Sequence, residues 1–281
     1  MSAPVIRSAP ALRTATAADL TAIVRTLTVA FGEPLRADTW EWLDGLPEGE
    51  IVVAERRRSI VGTAAGLSFA ATGWIGGLGV EPRSRRRGIA TALTDAIVDW
   101  LRERGARTLL LQATDQGRPV YERLGFEAEG AYRMWSLPPW RGPRPHVPGT
   151  RPLRRADFRA VCALDRDVTG EDRAIALRAA WPSGGVALDG RDGLRGFHLD
   201  SPWGPGPTVA ADADAGLALL GTARRPEEAV RLGVPAANAP AADALCAAGH
   251  EEVAPTERMR LGPPVAWAPE RVFGVFNPFW G

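Results

Sequence analysis

The feature that most constrains this chain is an internal repeat. Before a proline-rich stretch, "LPPWRGPRPHVPGTRPL" (Leu137 to Leu153), the sequence opens with "ALRTATAADLTAIVRTL" and closes near "LGFEAEGAYRM" (Leu124 to Met134). After it, "PLRRADFRAVCALD" and "AGHEEVAPTERM" (Ala248 to Met259) come in the same order. Each opening is a short apolar-arginine strand, an aspartate at the expected cap position (Asp19 or Asp157), then an amphipathic run. Two echoes in matching order read as a duplication. Prolines without apolar periodicity stiffen a chain and remove backbone donors, so the stretch between reads as a linker. The 281 residues then divide into 1–138, a linker 139–150, and 151–281, each long enough to bury a core.

Within the first half the pattern predicts a strand near Leu12, a helix from about Ala17 to Phe31, and a short helix with Trp40 and Leu43. Strands follow at "IVVAER" and "SIVGTAAGLSF", paired through Arg57-Arg58, and at "GWIGGLGV". A helix from Gly88 to about Arg104 stops at Gly105, and "TLLLQA" is a buried strand. A short helix from Pro119 to Leu124 and a strand containing Tyr132 to Leu137 close the half. Strands and helices mixed in this order give an α/β (α+β) fold with a layered sheet.

Composition excludes several classes. With 45% hydrophobic and 24% charged residues and a formal net charge of +1, the chain is globular and is no dedicated polyanion binder. Cys162 and Cys246 sit outside any CxxC pair, and His146, His198 and His250 are isolated, so neither a disulfide framework nor a structural zinc site is expected. No signal-peptide core opens the sequence and no apolar run is long enough for a membrane span. The expectation is a cytoplasmic protein with no nucleic-acid or membrane partner.

The stretch "LGVEPRSRRRGIATALTDAIVDWLRERGA" (Leu78 to Ala106) crowds four arginines into five residues before Gly88. A helix start exposes unpaired N–H groups and the positive end of the dipole. Arg85, Arg86 and Arg87 add full charge there, and Gly88 lets a ligand approach the backbone. The combination suits a pyrophosphate; a solvated arginine turn and a nucleic-acid phosphate site are the alternatives. Ile89, Leu93, Ile97 and Leu101 recur every four residues, so the side of this helix faces a core.

"VEPRSRRRGIA" resembles the acyl-CoA-binding motif of the GNAT acetyltransferase superfamily, with Arg85, Gly88 and Ala90 at its fixed positions and Val80 and Pro82 before it. "VYERLGF" resembles that superfamily's closing helix-turn, with Tyr121 at its tyrosine. The resemblance implies two tandem GNAT-like domains, each a mixed twisted sheet flanked by helices. It implies acetyl-CoA as co-substrate, its pyrophosphate on the backbone of Arg86, Arg87, Gly88, Ile89, Ala90 and Thr91, and its pantetheine along Leu78, Gly79 and Val80. Tyr121 would protonate the leaving thiolate. For the base, "GWIGGLGV" offers no carboxylate; Glu81, just past it, reads as solvent-facing. Glu33, in the "FGEPL" turn, and a water chain remain candidates. Trp40, Trp42 and Trp74 fit either the acceptor cleft or the core.

In the second half the loop's counterpart, "VAADADAGLALLGTA", has Asp212 and Asp214 in place of arginines, and the counterpart of Tyr121 falls near Leu245, with no proton to give. Carboxylates at a helix start suit the helix but repel a pyrophosphate, so this half reads as a degenerate, non-catalytic copy. It is similar to the C-terminal GNAT-like domain of some bacterial tandem proteins through "DRDVTGEDR" (Asp165 to Arg173), Gly233 to Glu252, "ERMRLG" and the glycine-terminated tail, though Trp280 stands where an acidic residue is expected. Asp167, Arg173, Asn277 and Trp280 become candidates for the interdomain cleft. The function expected is transfer of acetyl from acetyl-CoA to a small-molecule amine. A non-catalytic acyl-CoA sensor and an enzyme acting on a protein or peptide amine are the rivals.

Overall fold

The computed structural model describes residues 10–32, 35, 37–139, 145–223 and 230–281. The first half runs β1 (Ala11–Thr14), α1 (Leu20–Phe31), α2 (Asp38–Asp44), β2 (Gly49–Arg56), β3 (Ser59–Phe69), β4 (Thr72–Val80), α3 (Ile89–Glu103), β5 (Thr108–Ala113), α4 (Arg118–Arg123) and β6 (Glu127–Leu137). The second repeats that order with β7 (Thr150–Pro152), α5 (Phe158–Thr169), α6 (Ala174–Ala180), β8 (Gly185–Gly190), β9 (Gly193–Leu199), β10 (Thr208–Ala210), α7 (Ala213–Leu220), β11 (Val230–Pro235), α8 (Ala239–Ala247) and β12 (Glu251–Leu261). One further strand, β13 (Val272–Gly274), has no counterpart in the first half.

The repeat extends to individual side chains. Arg13 bridges Asp19 (2.7 Å) and Glu55 (2.9 Å), and Arg151 bridges Asp157 (2.7 Å) and Asp189 (2.6 Å). Each arginine thereby ties the first strand of its half to the first helical turn and to the next strand. The aspartates stand at the third position of a 3-10 turn, and Asp19 and Asp157 accept the backbone N–H of Thr16 and Arg154 at 2.8 and 2.7 Å. They close a capping box from inside the turn rather than acting as the cap itself, a variant of the expected start signal.

Burial follows the predicted faces. Leu93, Ile97 and Leu101 of α3 are fully buried, each such side chain contributing about 1.5–3 kcal/mol. The helix sits close because the strands beneath it are small: a Cβ on Gly66 would stand 2.8 Å from Ile97, and one on Gly73 2.6 Å from Leu101. The β2–β3 hairpin turns on Arg57 and Arg58 at φ 52° and 64°, the left-handed pair that a two-residue hairpin needs.

The linker separates the sequence but not the sheets. Strand order in the large sheet is β1-β2-β3-β4-β5-β12-β6-β11, and the smaller sheet runs β13-β10-β9-β8-β7. The strand ending each half has crossed over: β12 pairs with β5, β6 pairs with β11, and the two crossing strands pair with each other. A buried polar cluster seals this seam. Glu171 accepts from Trp74 Nε1 (2.8 Å) and Thr72 Oγ1 (3.0 Å), while Arg258 donates to Glu129 (2.7 Å) and the Tyr132 hydroxyl (3.2 Å). Burial pushes the Glu171 carboxyl up; the nearby Arg258 and Arg173 pull it back.

The extra strand fills a gap. In the first half β4 and β5 are adjacent and parallel. Their counterparts β10 and β11 are separated by β13, which pairs with β10, and by the bond from Val275 N–H to the Gly233 carbonyl (3.1 Å). Phe273 lies against α7 where Gly216 leaves room for its ring. No helix among the described residues is long and apolar enough to cross a membrane.

Candidate active site

A cavity of about 900 Å³ opens where β4 and β5 part. The two strands pair only over Thr72–Ile75 and Thr108–Leu111. Beyond that, β5 continues against β12, with Gln112 opposite Arg258, and the β4 edge from Gly76 to Val80 lines the cavity without a strand partner on that side. Unpaired backbone N–H and C=O groups on such an edge need partners. Opposite Ala64, β4 carries one extra residue, since Ala65 faces Gly76 and Thr63 faces Gly79. This bulge needs glycine: Gly77 has φ +57°, and a Cβ there would collide with the buried Trp40 ring.

At one end of the cavity stands the arginine loop. Arg86 has φ +61° and Gly88 φ +75°, and alternating handedness of this kind gathers successive N–H groups into a nest for an anion at the start of α3. Leu78, Gly79, Val80, Arg85, Arg86, Gly88, Ile89, Ala90 and Thr91 all line the cavity. Arg87 does not; it donates to the Arg83 carbonyl at 3.4 Å. Arg85 donates to the carbonyls of Val80 (3.0 Å) and Ala30 (2.8 Å), so its guanidinium staples the loop to β4 and α1.

Tyr121 lines the same cavity from α4, across the strand splay. Its ring packs edge-on against Phe126, centroids 5.8 Å apart, and its backbone carbonyl accepts from Phe126 N–H at 3.0 Å. The hydroxyl has no hydrogen bond from another described residue. Burial pushes the phenol up from its ordinary value, so it is a neutral proton donor through the physiological range. In the second half the same turn closes with His250 N–H on the Leu245 carbonyl at 3.1 Å; Leu245 keeps the packing and offers no proton.

Glu33 lies outside the described residues. Glu81 does not line the cavity, and Asp115 is the carboxylate that does among the described residues. Of the three candidate tryptophans, Trp40 lines it; Trp42 stacks on Trp203, itself a lining residue, with centroids 4.1 Å apart, and Trp74 is buried in the seam on Glu171.

The four second-half candidates are placed elsewhere than the cavity wall. Asp167 is exposed and pairs with Arg271 at 2.8 Å. Arg173 is buried, forked onto Asp165 (3.0 and 2.6 Å) and bonded to the Gly281 oxygen (2.7 Å). Asn277 Oδ1 accepts the N–H groups of Phe279 (2.7 Å) and Trp280 (3.1 Å). Trp280 is buried with its ring centroid 6.2 Å from that of Trp40. Arg173, Asn277 and Trp280 hold the tail, and the tail presents Pro278 and Phe279 to the cavity along with Trp203 and Pro205. Sequence reading passed over these wall residues, because no local pattern reports a contact made from the other half.

A strand splay, a bulge, a nest at a helix start and a tyrosine facing them line one cavity. Residues 18–126 match the acetyltransferase (GNAT) family model, and residues 161–274 match an acetyltransferase (GNAT) domain model. The chain belongs to the GNAT acetyltransferase family. It carries two such domains in tandem. A Pyrococcus horikoshii protein classed provisionally as an acetyltransferase shares the fold over 100% of this chain and 99% of its own, at TM-score 0.83 and 24% identity. A GCN5-related N-acetyltransferase from Sphaerobacter thermophilus follows at TM-score 0.62 and 18% identity, covering 92% and 98%. Mycothiol acetyltransferase of Beutenbergia cavernae is 38% identical over 72 residues, a stretch that spans 25% of this GNAT chain and 24% of that relative.

Proposed function

We propose that this protein is an acetyl-CoA-dependent N-acetyltransferase whose first half catalyses and whose acceptor is the amine of a small molecule. The observation carrying this reading is the single cavity that joins the unpaired β4 edge, the anion nest of Arg86 and Gly88, and Tyr121. Pyrophosphate would sit on the nest, and the amides of pantetheine would pair with the free β4 edge. The thioester then lies at the splay, near Tyr121.

The acceptor nitrogen, neutral, attacks the thioester carbonyl carbon; the C–S bond breaks as the C–N bond is kept. The thiolate takes the phenolic proton of Tyr121, and the acceptor nitrogen gives up its own proton to a base or to water. Glu33, Asp115 and water are the acceptors to test for that second proton. In the second half β13 lies where pantetheine would have to run, and Asp212 caps α7 through the Ala215 N–H at 3.0 Å. That favours a non-catalytic copy. The cavity's far wall, made by Trp203, Pro205 and Phe279, favours a small acceptor over a chain segment.

The test is purified protein with acetyl-CoA and a panel of small amines and peptides, following free thiol and the acetylated product. Acetyl-CoA binding without transfer to any amine would instead support an acyl-CoA sensor. Transfer to peptides alone would support the protein-amine reading.

A further inference from the structure

The acceptor end of the cavity has a chemistry of its own. Phe31, Leu35, Trp40, Met134, Trp203 and Phe279 line it, and all but the exposed Phe31 belong to one hydrophobic cluster. Phe279 is the hub: its ring centroid is 5.4 Å from that of Trp40 and 6.3 Å from that of Phe31. Its Cβ and carbonyl oxygen lie where a Cβ on Gly76 would be 2.8 Å away, at the point where β4 leaves β5. Phe279 is thus both an apolar wall and a neighbour of the strand position where the thioester is expected.

The main chain that carries the ring is also fixed on both sides. Asn277 Oδ1 holds the Phe279 N–H, Trp280 is buried beside it, and Arg173 holds the Gly281 oxygen while itself forked onto Asp165. Upstream, β13 is clamped in the gap between β10 and β11. With its main chain held and its ring packed against Trp40 and Phe31, this side chain has little freedom left to lose when a ligand packs on it, which strengthens selection.

Carboxylates are scarce along the cavity wall. A polyamine needs several carboxylates, and the described lining supplies Asp115, on the α4 side. A sugar needs many hydrogen-bonding groups; here Thr256 donates to Gln112 Oε1 at 3.0 Å, and the buried Gln112 Nε2 and Trp40 Nε1 are donors without a partner among the described residues, room for a polar group or two beside an apolar wall.

We propose that the acceptor is a primary amine carried on an aromatic or aliphatic body, and that Phe279, delivered by the second half's clamped tail, selects it. This rests on the acetyltransferase reading above. The test compares phenethylamine, glucosamine and spermidine as acceptors for the parent chain and for Phe279→Ala and Phe279→Leu, with acetyl-CoA affinity titrated separately and folding checked by thermal melting. Phenethylamine should have the highest kcat/KM. Phe279→Ala should raise its KM on the order of 10- to 100-fold, as expected for truncating an aromatic anchor, with Phe279→Leu between and acetyl-CoA affinity unchanged. Glucosamine or spermidine outranking phenethylamine in the parent, or an unchanged phenethylamine KM in folded Phe279→Ala, overturns the proposal while leaving acetyl transfer standing. Failure to bind acetyl-CoA at all overturns the underlying reading instead.

Discussion

Replacing Tyr121 by phenylalanine removes one oxygen and nothing else. The structure makes the two consequences separable. The hydroxyl has no described hydrogen-bond partner, so its loss orphans no buried group; the ring keeps its edge contact with Phe126 at 5.8 Å. Stability should therefore change by less than about 1 kcal/mol. In the proposed role catalysis would lose its proton donor, for which a fall in kcat of roughly 10- to 1000-fold is expected, or about 1.4–4.1 kcal/mol of barrier. Burial pushes the phenol up, so the parent keeps its proton past the ordinary value near 10. The ratio of parent to variant should accordingly stay flat with pH up to that point. The assay is steady-state thiol release with acetyl-CoA at saturation, repeated across pH, beside urea denaturation of both proteins. A variant that turns over like the parent throughout would make Tyr121 a packing residue and leave water to protonate the thiolate.

CoA should bind with one site per chain in a calorimetric titration, and Gly88→Asp should abolish it, because φ +75° is strained for aspartate and its charge opposes the pyrophosphate; a second equivalent site would refute the assignment. Gly216→Val forces its side chain into the Phe273 ring, so it should cost about 1–3 kcal/mol in denaturant unfolding and raise the acceptor KM without contact with the cavity. Acid should weaken the fold through the paired arginine clusters. Hydrogen bonds from Arg13 and Arg151 hold the Asp19 and Asp157 carboxyls below the usual range. The unfolded chain then binds more protons from about pH 4 downward, and stability present above that value is lost as pH falls. The drop in melting temperature between pH 6 and pH 3 should be smaller in the double variant Asp19→Asn, Asp157→Asn.

Local chemistry by itself determined the element order and half of the site. An apolar run every four residues, a proline-rich break, and glycines at Gly88, Gly105 and Gly125 dictate helices and their ends, because those signals act within one or two turns of chain. The nest and Tyr121 were legible for the same reason: each belongs to a contiguous motif. The acceptor wall was not. Phe279 meets Trp40 across more than two hundred positions of sequence, and "NPFWG" shows nothing of the Asn277 cap or the Arg173 fork that hold it. Asp167 and Arg173 lie close in sequence, yet one pairs with Arg271 at the surface and the other with buried Asp165. Only the tertiary structure decided that the halves exchange their last strands and that β13 fills the second splay. Antiparallel pairing and burial of an apolar strand reward any compatible edge, whichever half supplies it, so sequence periodicity specifies which face is buried but not the partner that buries it.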